Sequence, residues 1–259
     1  MSDVFQGVLV KLSVLMPAHN EEVNIHATLV QTLEAFDALR IDGEVMVIDD
    51  GSIDQTGPIV TDMSLKDRRV KLLKNEKPMG YAYSFWNGVD HTQSDAIVLI
   101  PGNNEHDPLE VLRYFSLLKD VDIIIPFLYN KGDRTLFRNV LSFGFRTLIN
   151  STFLVNFNYT TGTVIYRRSL LEQIKYRSNG FLFQTDILIR TVKSGYLFCE
   201  TPYRVNFGEP ATSKVGSLPS ILKVFRGYLR LVRDFYLSPD GNEKLPFTKD
   251  SLSFKRYNP

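Results

Sequence analysis

A single cysteine, Cys199, stands among 259 residues, too few for an intramolecular disulfide framework or a cysteine-built zinc cluster. It fits a reducing compartment. A spanning helix needs about 18 to 20 consecutive apolar residues, and none is present: the best runs, 96–100 and 123–128, are strand-sized. Residues 1–11 lack a basic region leading into an apolar core, so no secretory signal is expected there. A cytoplasmic protein is expected, with any membrane contact peripheral. An excess of one charge is missing too. Thirty Lys and Arg stand against 29 Asp and Glu, a formal charge of +1, which leaves no global field to attract nucleic acid. No internal repeat or low-complexity tract interrupts the chain, and an apolar fraction of 44% is enough for a sizeable core.

What is present begins with Leu12-Ser-Val-Leu-Met-Pro-Ala-His-Asn-Glu-Glu22, an apolar strand running into a turn crowded with hydrogen-bonding side chains. Glu44-Val-Met-Val-Ile-Asp-Asp-Gly-Ser-Ile-Asp54 repeats the design with a β-branched run that stops at two carboxylates. Side by side in a parallel sheet, the two strands would place both polar tips on the carboxyl-end rim, where open α/β sheets bind ligands.

The alternation continues to residue 130. Strands are expected at 12–16, 44–48, 70–73, 96–100 and 122–127, with helices near 21–40, 54–66, 79–91 and 108–118. The first helix is expected to be capped by Asn20, with Glu21 and Glu22 in its first turn. This rhythm predicts an α/β fold, a mostly parallel sheet with helices on both faces. Beyond it come a basic, aromatic helix at 133–152, a turn at 160–166 entering a strand, a helix near 184–194 and a strand at 197–205. In the last helix, 218–236, Leu222, Phe225, Leu229, Val232 and Phe235 recur on one face with Lys223, Arg226, Arg230 and Arg233 beside it. Such a helix either packs on its own domain or lies on an anionic membrane.

Four segments together carry a family likeness: Pro17-Ala-His-Asn-Glu21, Val47-Ile-Asp-Asp-Gly-Ser-Ile-Asp54, Asn75 through Gly80 to Gly88, and Gly102-Asn-Asn-Glu-His-Asp-Pro108. Over roughly residues 11 to 214 the chain resembles a family 2 glycosyltransferase of the GT-A fold, similar to dolichol-phosphate mannose synthase and the polyprenyl-phosphate sugar transferases. The resemblance implies a GT-A domain over 1–215, with a nucleotide-binding half at 11–130 and an acceptor half at 131–215, followed by an amphipathic helix and tail at 216–259. It implies an inverting enzyme that moves a sugar from a nucleoside-diphosphate sugar to a lipid phosphate, such as polyprenyl phosphate, or to a growing cell-surface glycan.

The donor contacts so implied are Pro17, His19, Glu21, Ile48, Asp49 or Asp50, Gly80, Gly102, Asn103 and Lys214. Physical chemistry agrees for the carboxylates, since a base and ribose offer donors that Asp50 or Asp49 can accept; either Asp is also a good turn and cap residue. His19 can stack on a base or serve only its loop. Lys214, in Ser213-Lys214, is placed to hold the diphosphate or an acceptor phosphate; as a surface lysine it is also simply solvated. On the acceptor side the resemblance implies Asn158, Thr161 and Gly162, with Asp186 as base, orienting carboxylate or helix cap.

Two departures stand out. Transfer from a nucleoside diphosphate commonly uses Mg²⁺ or Mn²⁺ on carboxylates. Pro101 and Asn103 occupy the positions of the family's two metal aspartates, leaving Asn103, Glu105 and Asp107 as candidates for a weaker site. Asn158 likewise replaces an aspartate. These losses motivate a second reading, a weakly active or inactive relative that binds nucleotide-sugar as a partner or scaffold protein. A nicotinamide oxidoreductase is set aside, because Pro17-Ala-His-Asn-Glu stands where Gly-x-Gly-x-x-Gly belongs.

Overall fold

The computed structural model describes residues 10–130, 136–204, 218–238 and 243–258. Strands β1 (Leu12–Ala18), β2 (Gly43–Asp49), β3 (Val70–Lys74), β4 (Ala96–Leu99), β5 (Ile123–Leu128), β6 (Ile165–Arg167) and β7 (Phe198–Tyr203) form one sheet in the order β3-β2-β1-β4-β6-β5-β7. Its pairings are parallel except where β6 runs against β4 and β5. The expected mostly parallel sheet is therefore observed, and a central β1 puts its tip between those of β2 and β4.

Helices α1 (Ile25–Leu39), α2 (Thr56–Lys66), α3 (Tyr81–His91) and α4 (Pro108–Leu112) follow the first four strands. Further on lie α5 (Leu136–Phe153), α6 (Arg168–Glu172), α7 (Phe183–Lys193), α8 (Leu218–Tyr236) and α9 (Leu252–Tyr257). β1 and β2 are buried along their whole length, as strands covered on both faces must be. Alternate residues feed two cores. Leu15, Ile48, Ile97 and Leu99 pack with α3, α5, α7 and α8 on one face. Val14, Met16, Val45, Val47 and Val98 pack with α1, α2 and α4 on the other.

Two helix expectations are corrected. The first helix begins at Ile25 with Asn24 at its cap position, not at Glu21 behind Asn20. Asn20 instead adopts a left-handed φ of 56°, and the loop around it bonds across to the loop after β2. The helix expected over 108–118 breaks into α4 and a 3-10 turn at Phe115–Lys119. Asp107 caps α4 by accepting the Leu109 N–H at 2.9 Å, with Pro108 filling the first helical turn.

The C-terminal segments pack onto the rest of the described chain. Leu231 and Phe235 of α8 belong to the core with α5 and α7. The buried carboxylate of Asp122 accepts the backbone N–H groups of Leu252 and Ser253, the Ser253 hydroxyl and Nε–H of Arg167. Among the described residues, no helix is long and apolar enough to cross a membrane.

Candidate functional site

The carboxyl ends of β2, β1 and β4 form one continuous rim. Backbone bonds run along it: Asp50 N–H to Ala18 O at 2.8 Å, Gly102 N–H to Pro17 O at 3.1 Å and Asn75 N–H to Asp49 O at 2.9 Å. Pro17, Asp49, Asp50 and Gly102 are thus neighbours, as the sequence implied. Gly102 is there because space is short: a Cβ would meet Ile25 Cδ1 at 2.8 Å.

The loops after β1 and β2 are laced together. Asn20 N–H donates to Ser52 Oγ, Ile53 N–H to Asn20 Oδ1, Glu21 N–H to Thr56 Oγ1, Glu22 N–H to Asp54 and Gln55 N–H to Glu22. His19 sits exposed at the edge, its Nδ1 donating to the Asp50 carbonyl at 2.8 Å. The Glu21 carboxylate is taken by the Asn24 amide at 2.9 Å.

Asp50 is the hub of the next loop. Its carboxylate accepts N–H of Met79 and of Gly80 and the Asn75 side-chain amide, each at 2.8 Å. Burial pushes its pKa up, yet those bonds, with the Met79 N–H contributing most, outweigh burial and hold the carboxyl below its ordinary value. Gly80 has φ 96° and ψ 160°, a conformation essentially reserved for glycine. Asn75, which the sequence marked only as the start of a segment, links Asp50 to Asn87. Asp49 is fully buried; one oxygen accepts Ser52 N–H at 2.9 Å and the other has no hydrogen-bond partner among the described residues. Ile48 is corrected to a core residue, since its side chain is fully buried beneath Gly88 of α3.

The β4 loop does not gather carboxylates. Asn103 Oδ1 accepts Glu105 N–H at 3.3 Å and Asp107 is committed to capping α4. Among the described residues, no group of three or more His, Cys, Asp or Glu side chains is arranged to hold a metal. The proposed set Asn103, Glu105 and Asp107 is therefore corrected: one member is neutral and another caps a helix, so these residues do not fit a protein-built divalent site. The same loop sends His106 to stack on Tyr203 of β7, centroids 6.0 Å apart, a contact that spacing alone could not have revealed.

At the turn that the sequence implied for the acceptor, the Asn158 backbone N–H and side-chain amide both donate to Glu200, at 2.6 and 2.7 Å. Glu200 thus puts a carboxylate beside the position where the sequence has lost one. The turn of Thr161 and Gly162 is tied to α7: Gln184 donates to Gly162 O at 3.0 Å and Thr185 to Thr160 O at 3.1 Å. Asp186, the next residue, is 2% exposed and accepts Arg190 Nε–H at 2.8 Å. Burial pushes its carboxyl up to about 6 despite Arg190, with Asp234 of α8 adding to the rise. Arg190 in turn lies over the rings of Tyr176 and Phe235. Asp186 therefore belongs to a buried polar cluster between α7 and α8. Lys214 lies outside the described residues.

The description "Glycosyl transferase family 2" matches residues 13–175. The uncharacterized glycosyltransferase YkcC of Bacillus subtilis is 25% identical over 168 residues, covering 64% of this chain, which spans 52% of that relative's length. An uncharacterized protein of Methanocaldococcus jannaschii is 25% identical over 231 residues, 84% of this chain and 97% of its own. Glucosyl-3-phosphoglycerate synthase from Mycobacterium tuberculosis, solved with Mn²⁺, UDP-glucose and phosphoglyceric acid, superposes with a TM-score of 0.60 at 17% identity, covering 84% of this chain and 79% of that one. A Pyrobaculum calidifontis mannosyltransferase, solved with GDP-mannose and Mn²⁺, gives 0.60 at 16% identity, with 85% and 64% covered. These likenesses show the fold.

Proposed function

The chain belongs to glycosyl transferase family 2, and from that premise we propose that it transfers a sugar from a nucleoside-diphosphate donor to a lipid-borne phosphate at a membrane surface, with inversion at the anomeric carbon. The rim over β2, β1 and β4 receives the donor. Its loops are laced together by hydrogen bonds, which lowers the ordering cost of binding. His19 at the edge offers a ring face to the base.

The observation that carries the acceptor class is the burial of Asp186. A sugar hydroxyl must lose a proton as it attacks, and a positioned base commonly supplies about 10²- to 10⁴-fold. Asp186 is 2% exposed and bound to Arg190, so it is poorly presented to an incoming hydroxyl. A phosphate monoester needs no base, because its second pKa is about 6 and it is already ionised at neutral pH. Its oxygen forms the new bond to the anomeric carbon as the bond to the donor's diphosphate breaks, the electron pair leaving on the diphosphate. No step is routed through a metal, since Asn103, Glu105 and Asp107 do not build a site for one.

The test is a thermal-shift screen of nucleotide-sugars, where a ligand at 100 times its dissociation constant adds about 2.7 kcal/mol. Transfer of labelled sugar from the best binder to a polyprenyl phosphate follows. Transfer to glycan hydroxyls instead would overturn the acceptor assignment. Donor binding with no transfer to either class would favour the binding-relative reading.

A further inference from the structure

α8 carries three stripes. One is buried, with Leu231, Asp234 and Phe235 turned into the protein. Beside it, Leu222, Phe225, Leu229 and Tyr236 fall on a common line, and all four are between 46% and 51% exposed. Beyond that line run Lys223, Arg226, Arg230 and Arg233, all exposed. The apolar line thus lies between the core and a row of cations. Phe181, 55% exposed with Lys223 Nζ 5.3 Å from its ring centroid, lies beyond that row on the side of α7.

Charge decides what covers this face. α5, which meets α8 through Thr152 to Tyr228 and Tyr236 to Thr152, has no acidic residue, and it exposes Phe137, Val140 and Phe143. The sole carboxylate of α8, Asp234, is buried and engages Arg230 and Arg233. A protein-binding face usually mixes signs at its rim. A face of half-exposed apolar side chains edged by one sign of charge matches a bilayer, where apolar groups enter the acyl boundary and cations meet anionic head groups.

We propose that α8 docks flat on an anionic lipid surface through Leu222, Phe225 and Leu229, with Lys223 and Arg226 on the head groups. This deepens the lipid-phosphate reading given above and would bring the Phe181 segment and the start of α7 to the membrane. Docking is measured without donor or acceptor, so its failure is distinct from a failure of sugar transfer.

Co-sedimentation of the full chain with phosphatidylglycerol-rich vesicles, against vesicles of phosphatidylcholine alone, tests it. Binding is expected only to the former and should weaken with salt, as the screening length falls from about 10 Å at 0.1 M to about 3 Å at 1 M. The double variant K223E/R226E, at exposed positions, should cut partitioning at least ~30-fold, since each cation contributes about 1 kcal/mol. Phe225→Ser should also weaken it, while Arg226→Lys should not. Equal binding to both vesicles, binding to neither, a double variant that binds as well as wild type, or a dimer in solution that buries this face would overturn the proposal.

Discussion

Replacing Asp186 with asparagine is expected to stabilise the protein at neutral pH. The Asp186 carboxyl is moved from 3.8 to about 6, first by burial and then by Asp234, against the attraction of Arg190. A rise of about 2 units, at about 1.36 kcal/mol each, puts roughly 3 kcal/mol against the ionised form. Removing one partner of a buried ion pair commonly costs about 3 to 5 kcal/mol, so two effects compete. Here burial already outweighs the Arg190 attraction. Arg190 also keeps an accepting amide oxygen in the variant, Asp234 nearby and the faces of Tyr176 and Phe235. The sign follows from linkage: a folded-state value above the unfolded one means stability is fully present below pH ~4 and falls as pH rises towards ~6. Urea denaturation of both proteins between pH 4 and 8 should show equal stability at the acid end and the variant ahead by about 1 to 3 kcal/mol at pH 7. Its transfer to a phosphate acceptor should persist. A variant less stable by more than about 1 kcal/mol at pH 7, or a stability difference between variant and wild type that does not grow from pH 4 to 7, would refute the reasoning. A stable variant with turnover reduced by about 10²-fold or more would make Asp186 a base after all.

Other substitutions test the rim and the turn. Asp50→Asn should lower both melting temperature and donor affinity in calorimetry, by about 1.5 to 3 kcal/mol for each charge-assisted bond lost from Met79 and Gly80. Because the Asp50 pKa is lowered on folding, its stabilisation is present above the unfolded value and lost as pH falls below it, so the variant should be less acid-sensitive; unchanged affinity removes Asp50 from the donor site. Asn103→Asp should tighten Mn²⁺ in the presence of nucleotide, measured by titration calorimetry, by adding a carboxylate to the β4 loop. No gain there would mean Asn103 does not face the diphosphate. Asn158→Asp sets a second carboxylate about 2.7 Å from Glu200, and should lower stability by about 1 to 3 kcal/mol at pH 7. That loss should recover in acid, and the double variant with Glu200→Gln should restore it.

The sheet was legible because β1, β2 and β4 are mainly apolar runs that end in polar turns, and hydrophobic period is a local signal. The same local signal misplaced the start of α1. Asn20 is a good cap in isolation, but it answers to Ser52 and Ile53, more than thirty residues away. Asp107 looks like a metal candidate in the sequence because a carboxylate's chemistry is visible there while its partner is not; in the fold it caps a helix. Glu200 carries no site role in the sequence for the converse reason, since only the fold brings β7 to Asn158. Ile48 sits one residue before the two carboxylates, yet strand alternation turns its side chain into the core.

The seam at Asp122 bears on the order in which the chain matures. Its carboxylate finds one partner 45 residues later, at Arg167, but two more only 130 and 131 residues later, at Leu252 and Ser253. At about 5 to 20 residues per second of synthesis, that is a wait on the order of ten seconds. Throughout it, β5 cannot sink Asp122 into the interior without leaving a charge short of its donors, at a cost of several kcal/mol. β5 thereby lacks its full set of donors until Leu252 and Ser253 arrive, while β1 to β4 precede it in synthesis. A variant ending before residue 252 would leave this carboxylate short of three donors and should fold less stably than a chain that carries them.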